Sequence, residues 1–326
     1  MKISLPKSIV ILAALAVPLS ATIAQEKFPS EPIRLIITHA AGGTTDMAAR
    51  VIQPYFQKAV GVPVVIENMV GAGGNIARGY VFRQKPDGYH LLVSQQPSMS
   101  SGEIVSGGKF KVLQLTHLYN IAGKNYNCVA VPFDSPIKTI EDMKKASQRE
   151  PLTTAGTGIG SNAYIVAMLI KERVGVNVTY VPFNSGAQAA LAVAGNRTQM
   201  GAGALDSYFP LHAQKKLRIL AVTGPARDES HPEIPTMKEL GYPQVTLDQM
   251  TGVFAPPGLP KNRVDVLIAA FHKAMEDPEF KAAAAKAKIT LQPLAGEQFL
   301  KASHEMYDTI QGLKDVLKSG VRKKKK

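Results

Sequence analysis

What most restricts the fold of this chain is a unit that recurs along it. A short run of branched apolar residues ends in a turn of glycines and small polar residues, and apolar residues at helical spacing follow. "IRLIITHA" (33–40) reads as a buried strand and "AGGTTD" as the turn. Met47, Val51, Ile52, Tyr55 and Ala59 then lie on one face of a helix. A second unit has a strand over Val62 to Glu67, a loop at Gly71 to Gly74, a helix from Asn75, a Pro86-Asp87-Gly88 turn and a strand over Tyr89 to Ser94. "NCVAVPF", "TIEDMKKASQ" and "PLTTAGTGIGSNAYIVAMLIKERVG" continue the alternation, and "VNVTYVPFNSGAQAAL" and "LRILAVTG" supply further short strands. Beyond Gly252 the texture changes to "VFAPPGLP" and two amphipathic helices. Strands alternating with helices predict an α/β fold with a mostly parallel sheet covered on both faces. In such sheets ligands sit beyond the carboxyl ends of the strands.

The length, 326 residues with 45% hydrophobic content, suffices for two packed lobes. Lys2 and Lys7 precede an apolar run from Ile9 to Leu19, and small residues follow at Thr22 and Ala24. This order predicts a signal peptide over residues 1–24 and an exported, periplasmic protein. No later stretch is continuously apolar for the roughly 20 residues a bilayer requires. Cys128 is the single cysteine, so no internal disulfide forms and its expected role is that of a small buried hydrophobe. Of the formal +13 charge, Arg322 to Lys326 supply five and the leader two, leaving a mildly basic body. That balance suits a small organic anion. No basic stripe interleaved with aromatics points to nucleic acid, and the tail at 322–326 reads as a solvated, disordered end.

The glycine turns carry the chemistry. In "GGTTD", Gly43 lets the backbone approach a ligand, while Thr44 or Thr45 is placed to cap the helix and leave first-turn amides pointing outward. Such an N-terminus attracts a carboxylate or phosphate. Asp46 has two readings, ordering the turn through its amides or orienting water or a ligand hydroxyl. "TAGTGIGSNAY" repeats the chemistry, with Thr157, Ser161 and Asn162 as neutral donors and Gly158 and Gly160 freeing the backbone. "FNSGAQAAL" places Ser185, Gly186 and Gln188 at a third strand-to-helix junction. The dinucleotide fingerprint fails at its third glycine, which is Ser161 in one loop and Ile76 in the other, so no cofactor is expected. The seven histidines, from His39 to His304, lack metal-ligand spacing, and no nucleophile elbow occurs. His39 is either a packing residue near a strand end or a cleft residue facing an anion. A dispersed Ser-His-Asp triad, making the chain an exported hydrolase, stays open as the alternative to a non-enzymatic receptor.

Taken in order, "FPSEPIRLIITHAAGGTTDMAARVIQPYFQKAVGVPVVIENMVGAGGN", "KPDGYHLLV", "TAGTGIGSNA", "VPFNSGAQAALAVAGNRTQM", "LRILAVTGPAR", "IPTMKELGYP" and "GVFAPPGLP" resemble the Bug (Bordetella uptake gene) family. These are extracytoplasmic solute receptors of tripartite tricarboxylate transporters. The resemblance implies a two-lobe type II periplasmic-binding-protein fold with hinge strands. Residues 25–124 and 252–326 would form one lobe and 125–251 the other, with hinges near Asn125 to Val131 and Thr246 to Phe254. It implies a monomer that delivers a small carboxylate to membrane transporter subunits. By position, Gly43, Thr44, Thr45 and Asp46 become first-lobe contacts, and Thr157, Gly158, Gly160, Ser161 and Asn162 second-lobe contacts. Ser185, Gly186, Gln188 and Asp206 fall on the rim, and Ser94 and Gln95 face the cleft. Where family members commonly carry proline and an aromatic before the glycines, this chain has His39-Ala40-Ala41. Where they have histidine after the second-lobe serine, it has Asn162-Ala163.

Overall fold

The branched apolar runs form strands and the glycine turns end them. The computed structural model describes residues 27–107 and 109–320; the predicted leader and basic tail lie outside the described residues. In chain order the strands are β1 (Ile33–Ile37), β2 (Val64–Asn68), β3 (His90–Gln96), β4 (Thr116–Gly123), β5 (Asn127–Pro132) and β6 (Leu152–Thr157). Then follow β7 (Val178–Phe183), β8 (Met200–Ala204), β9 (Leu217–Val222), β10 (Met250–Ala255) and β11 (Leu291–Ala295). Helices α1 (Thr44–Val60), α2 (Asn75–Phe82) and α3 (Ser98–Val105) join the first strands. Helices α4 (Ile140–Ser147), α5 (Asn162–Leu169), α6 (Gly186–Ala194) and α7 (Leu205–Ala213) join the middle ones. The chain closes with α8 (Lys261–Glu276), α9 (Pro278–Lys286), α10 (Gly296–Gln311) and α11 (Lys314–Ser319).

Two sheets result, ordered β11-β4-β10-β3-β1-β2 and β7-β6-β8-β5-β9. In each, three consecutive strands pair in parallel, β2-β1-β3 in one and β7-β6-β8 in the other. Beside each trio lies one antiparallel strand that begins where the chain has just crossed from the other sheet: β10 against β3, β5 against β8. The outward crossing is the three residues between Gly123 and Asn127, and the return occupies residues 223–249. The two crossings are bonded together: Thr223 N–H donates to the Asn127 carbonyl at 2.8 Å, and Leu247 N–H to the Thr223 carbonyl at 2.8 Å. The parallel trios put every strand's carboxyl end, and the helix that follows it, at the line where the sheets face each other.

The first sheet is covered by α1 and α8, whose Phe56 and Phe271 rings stack with centroids 3.8 Å apart and planes 8° off parallel, both fully buried. The second sheet buries the apolar α5, from Tyr164 to Leu169. Ile310 and Leu317 from the end of the chain join that second core, and the Tyr164 hydroxyl donates to the Leu317 carbonyl at 2.6 Å. The last helix therefore packs on α5, across from the sheet that α8 and α9 cover. No helix among the described residues is long and apolar enough to cross a membrane.

Truncating a buried phenylalanine removes its transfer free energy and leaves a cavity, together about 3–5 kcal/mol. Phe56→Ala should lose stability by that amount in urea unfolding with the transition slope retained. A loss under about 1 kcal/mol would show that the α1–α8 contact does not hold the first sheet.

Candidate functional site

Four helix N-termini meet between the sheets. The first turns of α1 (Gly43, Thr44, Thr45), α5 (Asn162, Ala163), α6 (Ser185, Gly186) and α7 (Ala204, Ser207) line one chamber of about 60 Å³. Each follows a strand of a parallel trio, so the strand–turn–helix unit of the sequence aims them inward. The opening amides of a helix have no intrahelical partner, and each terminus carries the equivalent of about half a positive charge. At α1 the cap is Gly43, in extended conformation, and no side chain caps it. This corrects the expectation that Thr44 or Thr45 closes the helix: Thr45 Oγ1 instead lies 3.2 Å from His39 Nδ1. The amides of the first turn of α1 are thereby left for a ligand.

Amide side chains complete the lining. Asn162 Nδ2 donates to Gln249 Oε1 at 2.6 Å and reaches Gln95 Oε1 at 3.4 Å, linking α5, the return crossing and β3. Gln249 Nε2, Asn127 Nδ2 and Asn162 Oδ1 are buried without a protein partner. Unsatisfied buried donors are expensive, and here two of them belong to residues that line the chamber. The lining holds no ionised group. Its titratable member is His39, which burial, aided by the charge of Arg78, holds down at about 4, so it is neutral at pH 7. His39 Nδ1 meets the Thr38 and Thr45 hydroxyls at 3.0 and 3.2 Å, and among the described residues no carboxylate bonds to it. The third member of a Ser-His-Asp arrangement is missing there.

Of the residues singled out in the sequence, His39, Gly43, Thr44, Thr45, Gln95, Thr157, Asn162, Ser185 and Gly186 line this chamber. The others stand behind it or apart from it. Asp46 is 1% exposed, and its carboxylate accepts from Gly42 N–H, Arg50 Nε and Asn68 Nδ2 at 2.8–2.9 Å. Burial pushes that carboxyl up, but these bonds together hold it below its ordinary value. Asp46 thus fixes the turn, with Asn68 also donating to the His39 carbonyl at 2.9 Å. Ser94 is fully buried and accepts from Arg78 Nε. The Ser161 hydroxyl is engaged by its own helix, donating to the Thr157 carbonyl at 3.1 Å and capping Tyr164 N–H at 3.2 Å. Gln188 is exposed on the outer turn of α6, and its amide is capped by Ser185 Oγ. Asp206 lines a separate recess with Lys124, Arg227 and Lys288.

Gly158 and Gly160 serve the approach of the two halves. A Cβ on Gly158 would stand 2.5 Å from Gly73 N, and one on Gly73 would stand 2.4 Å from the Ile159 carbonyl oxygen. Gly160, at φ +88°, faces Val105 and the backbone of Gly102. Outside this contact lies a wider, open recess of about 760 Å³, bordered by Thr38, Gly74, Asn75, Arg83, Lys109 and Phe183. It shares His39 and Thr157 with the inner chamber. Asn127, Ser207 and Gln249 belong to the inner lining and were not picked out from the sequence. Their signal was slight: polar residues beside the crossings and in a short helix after "GAGAL".

The arrangement defines a two-lobe binding protein of the type II periplasmic class, with a chamber at the carboxyl ends of two parallel trios. The chain belongs to the family described as "Tripartite tricarboxylate transporter family receptor", whose model it matches over residues 48–309. The "UPF0065 protein in gbd 5'region" of Cupriavidus necator is 31% identical over 282 residues, 86% of this chain and 85% of that protein. The periplasmic binding protein BugD has the same fold, with a TM-score of 0.78 at 23% identity over 90% of this chain and 98% of its own. So has MatC of Rhodopseudomonas palustris, solved with bound malate, with a TM-score of 0.78 at 24% identity over 89% of this chain and 100% of its own.

Two outcomes test this geometry. Alanine at Gly158 would overpack the contact with Gly73 by about 1–3 kcal/mol, and only when the halves are together. Gly158→Ala should weaken ligand binding roughly ten- to hundredfold in calorimetry while the unliganded melting temperature stays put; unchanged affinity would separate the glycine contact from binding. The second concerns acid. An imidazole held near 4 in the folded chain but titrating at its ordinary 6.5 when unfolded takes up its proton preferentially in the unfolded state between those values. Stability is then full above about pH 6.5 and falls as pH drops toward 4. His117, buried and also at about 4, adds to the same limb. His39→Gln should flatten the fall in unfolding free energy between pH 6.5 and 4, and an unaltered slope in the variant would contradict the assignment.

Proposed function

We propose that this protein is an extracytoplasmic solute receptor that closes on the carboxylate of a small organic anion and delivers it to the membrane subunits of a tripartite tricarboxylate-type transporter. The observation that carries this reading is the inner chamber: four helix N-termini and two unpartnered amide donors converge on it, and no ionised side chain lines it. Such a lining favours an anion through oriented dipoles, each terminus contributing about 0.3–1 kcal/mol and up to about 2 when desolvated. It offers no general base beyond a neutral imidazole, so the protein acts by binding and leaves its ligand chemically unchanged. One water occupies roughly 10–15 Å³ measured this way, so about 60 Å³ holds a carboxylate and the carbons beside it. The remainder of a longer ligand passes His39 and Thr157 toward the outer recess. A neighbour of the same fold bound to malate supports this ligand class. The basic, apolar and small-residue order of residues 1–24 supports export to the periplasm, where the receptor acts as a monomer.

A panel of mono-, di- and tricarboxylates, each paired with its amide, tests the reading by thermal shift. At a hundred times its Kd, a carboxylate should add about 2.7 kcal/mol of stability, with every molecule recovered unaltered after incubation and the amide giving a smaller shift. Product formation, or equal shifts for acid and amide, would overturn it.

A further inference from the structure

Arg78, in α2, is fully buried and has no carboxylate for a partner among the described residues. Its Nε donates to Ser94 Oγ at 3.2 Å, Nη1 to Asn75 Oδ1 at 2.9 Å and the Ser98 carbonyl at 3.1 Å, and Nη2 to Ser98 Oγ at 2.6 Å. All four acceptors are neutral. The acid nearest in the chain to this cluster, Glu103, is engaged elsewhere, by Lys111 Nζ, Val112 N–H and the Tyr307 hydroxyl. Burial lowers the proton affinity of the guanidinium to about 9, which leaves it charged at neutral pH. A buried charge without a counterion is strongly disfavoured. The fold nevertheless makes room for this one: a Cβ at Gly74 would come within 3.1 Å of Nη2, and one at Gly102 within 2.6 Å of Nη1. The same Gly74 site would place a Cβ 3.0 Å from Thr38, and Thr38, Gly74 and Asn75 form the wall of the outer recess. The unpaired charge therefore stands one residue beneath that wall, close enough to help depress His39.

Resting on the carboxylate-receptor reading, we propose that Arg78 is a specificity-determining residue: a fixed positive charge beneath the recess wall that selects ligands carrying a second negative group. One carboxylate sits among the helix N-termini of the inner chamber, and the second lies in the recess against Thr38, Gly74 and Asn75. There it neutralises Arg78 without touching it. An interaction between unit charges across a partly dry wall is worth on the order of tenfold in affinity. The charge has no ligand to match it in the free protein, so binding a dianion completes an ion pair that folding left open.

The test compares a dicarboxylate with its monoamide by calorimetry, malate first and then whichever dicarboxylate shifts the wild-type melting temperature most. Arg78→Gln should lower the preference for the dianion over the monoamide about tenfold, and Arg78→Lys, which keeps the charge, should restore most of it. Ser98→Asp, which lies outside the chamber lining, supplies a counterion at Nη2. It should raise the melting temperature of the unliganded protein and lower the dianion preference by a similar factor, and it decides the matter if Arg78→Gln does not fold. A wild-type preference retained in Arg78→Gln or Ser98→Asp overturns the role of Arg78 and leaves the receptor reading standing. A wild-type protein that binds no carboxylate overturns both.

Discussion

The structure depends on one electrostatic arrangement: a space lined by converging helix ends with no ionised side chain among its walls. Dipoles act over about a turn, so the ends of α1, α5, α6 and α7 must be brought to one point within a few ångströms. A parallel trio does this automatically, because each strand releases its helix at the same edge. Two such trios facing each other double the number of ends available. The supporting parts follow from that need. Asp46, Arg50 and Asn68 clamp the α1 turn from behind, and Gly43 stands where a capping hydroxyl would have taken up the amides.

The crossings also fix how the two sheets are joined. Each sheet accepts, beside its trio, the strand that follows a crossing from the other, the outward crossing being the three residues before Asn127 and the return residues 223–249. The two crossings are tied to each other through the backbone of Thr223. Two sets of contacts hold the halves together, the Asn162–Gln249–Gln95 amides inside and the Gly73–Gly158 backbone approach at the mouth.

Much of this was legible in the sequence, and what was not has a physical explanation. Strand–turn–helix units are local, so "IRLIITHAAGGTTD", "TAGTGIGSNAY" and "FNSGAQAAL" announced three of the four converging helix ends. Thr45 was misread because its hydroxyl had two candidate partners, the helix amides and His39, and only the folded turn decides between them. Ser161 was read as a ligand donor, but its hydroxyl is turned toward its own helix. Gly158 and Gly160 were read as freeing the backbone for a ligand, and in the fold they make room for the other half of the chain. Asn127 and Gln249 were invisible: they sit 122 positions apart in number and meet through the crossings alone. Arg78, in an unremarkable "NIARGY" segment, gave no sign that it would be buried unpaired.

The packing of α11 on α5 also bears on how the molecule is made. All five strands of the second sheet have been synthesised once Val222 is in place, yet Ile310 and Leu317 belong to that sheet's core and Tyr164 waits for the Leu317 carbonyl. These are contacts of very high sequence separation, the kind that slow folding and leave apolar surface exposed meanwhile. Residues 310–317 thus close a core that residues 127–222 begin, and the second half of the fold is sewn to a segment nearly a hundred positions beyond its last strand.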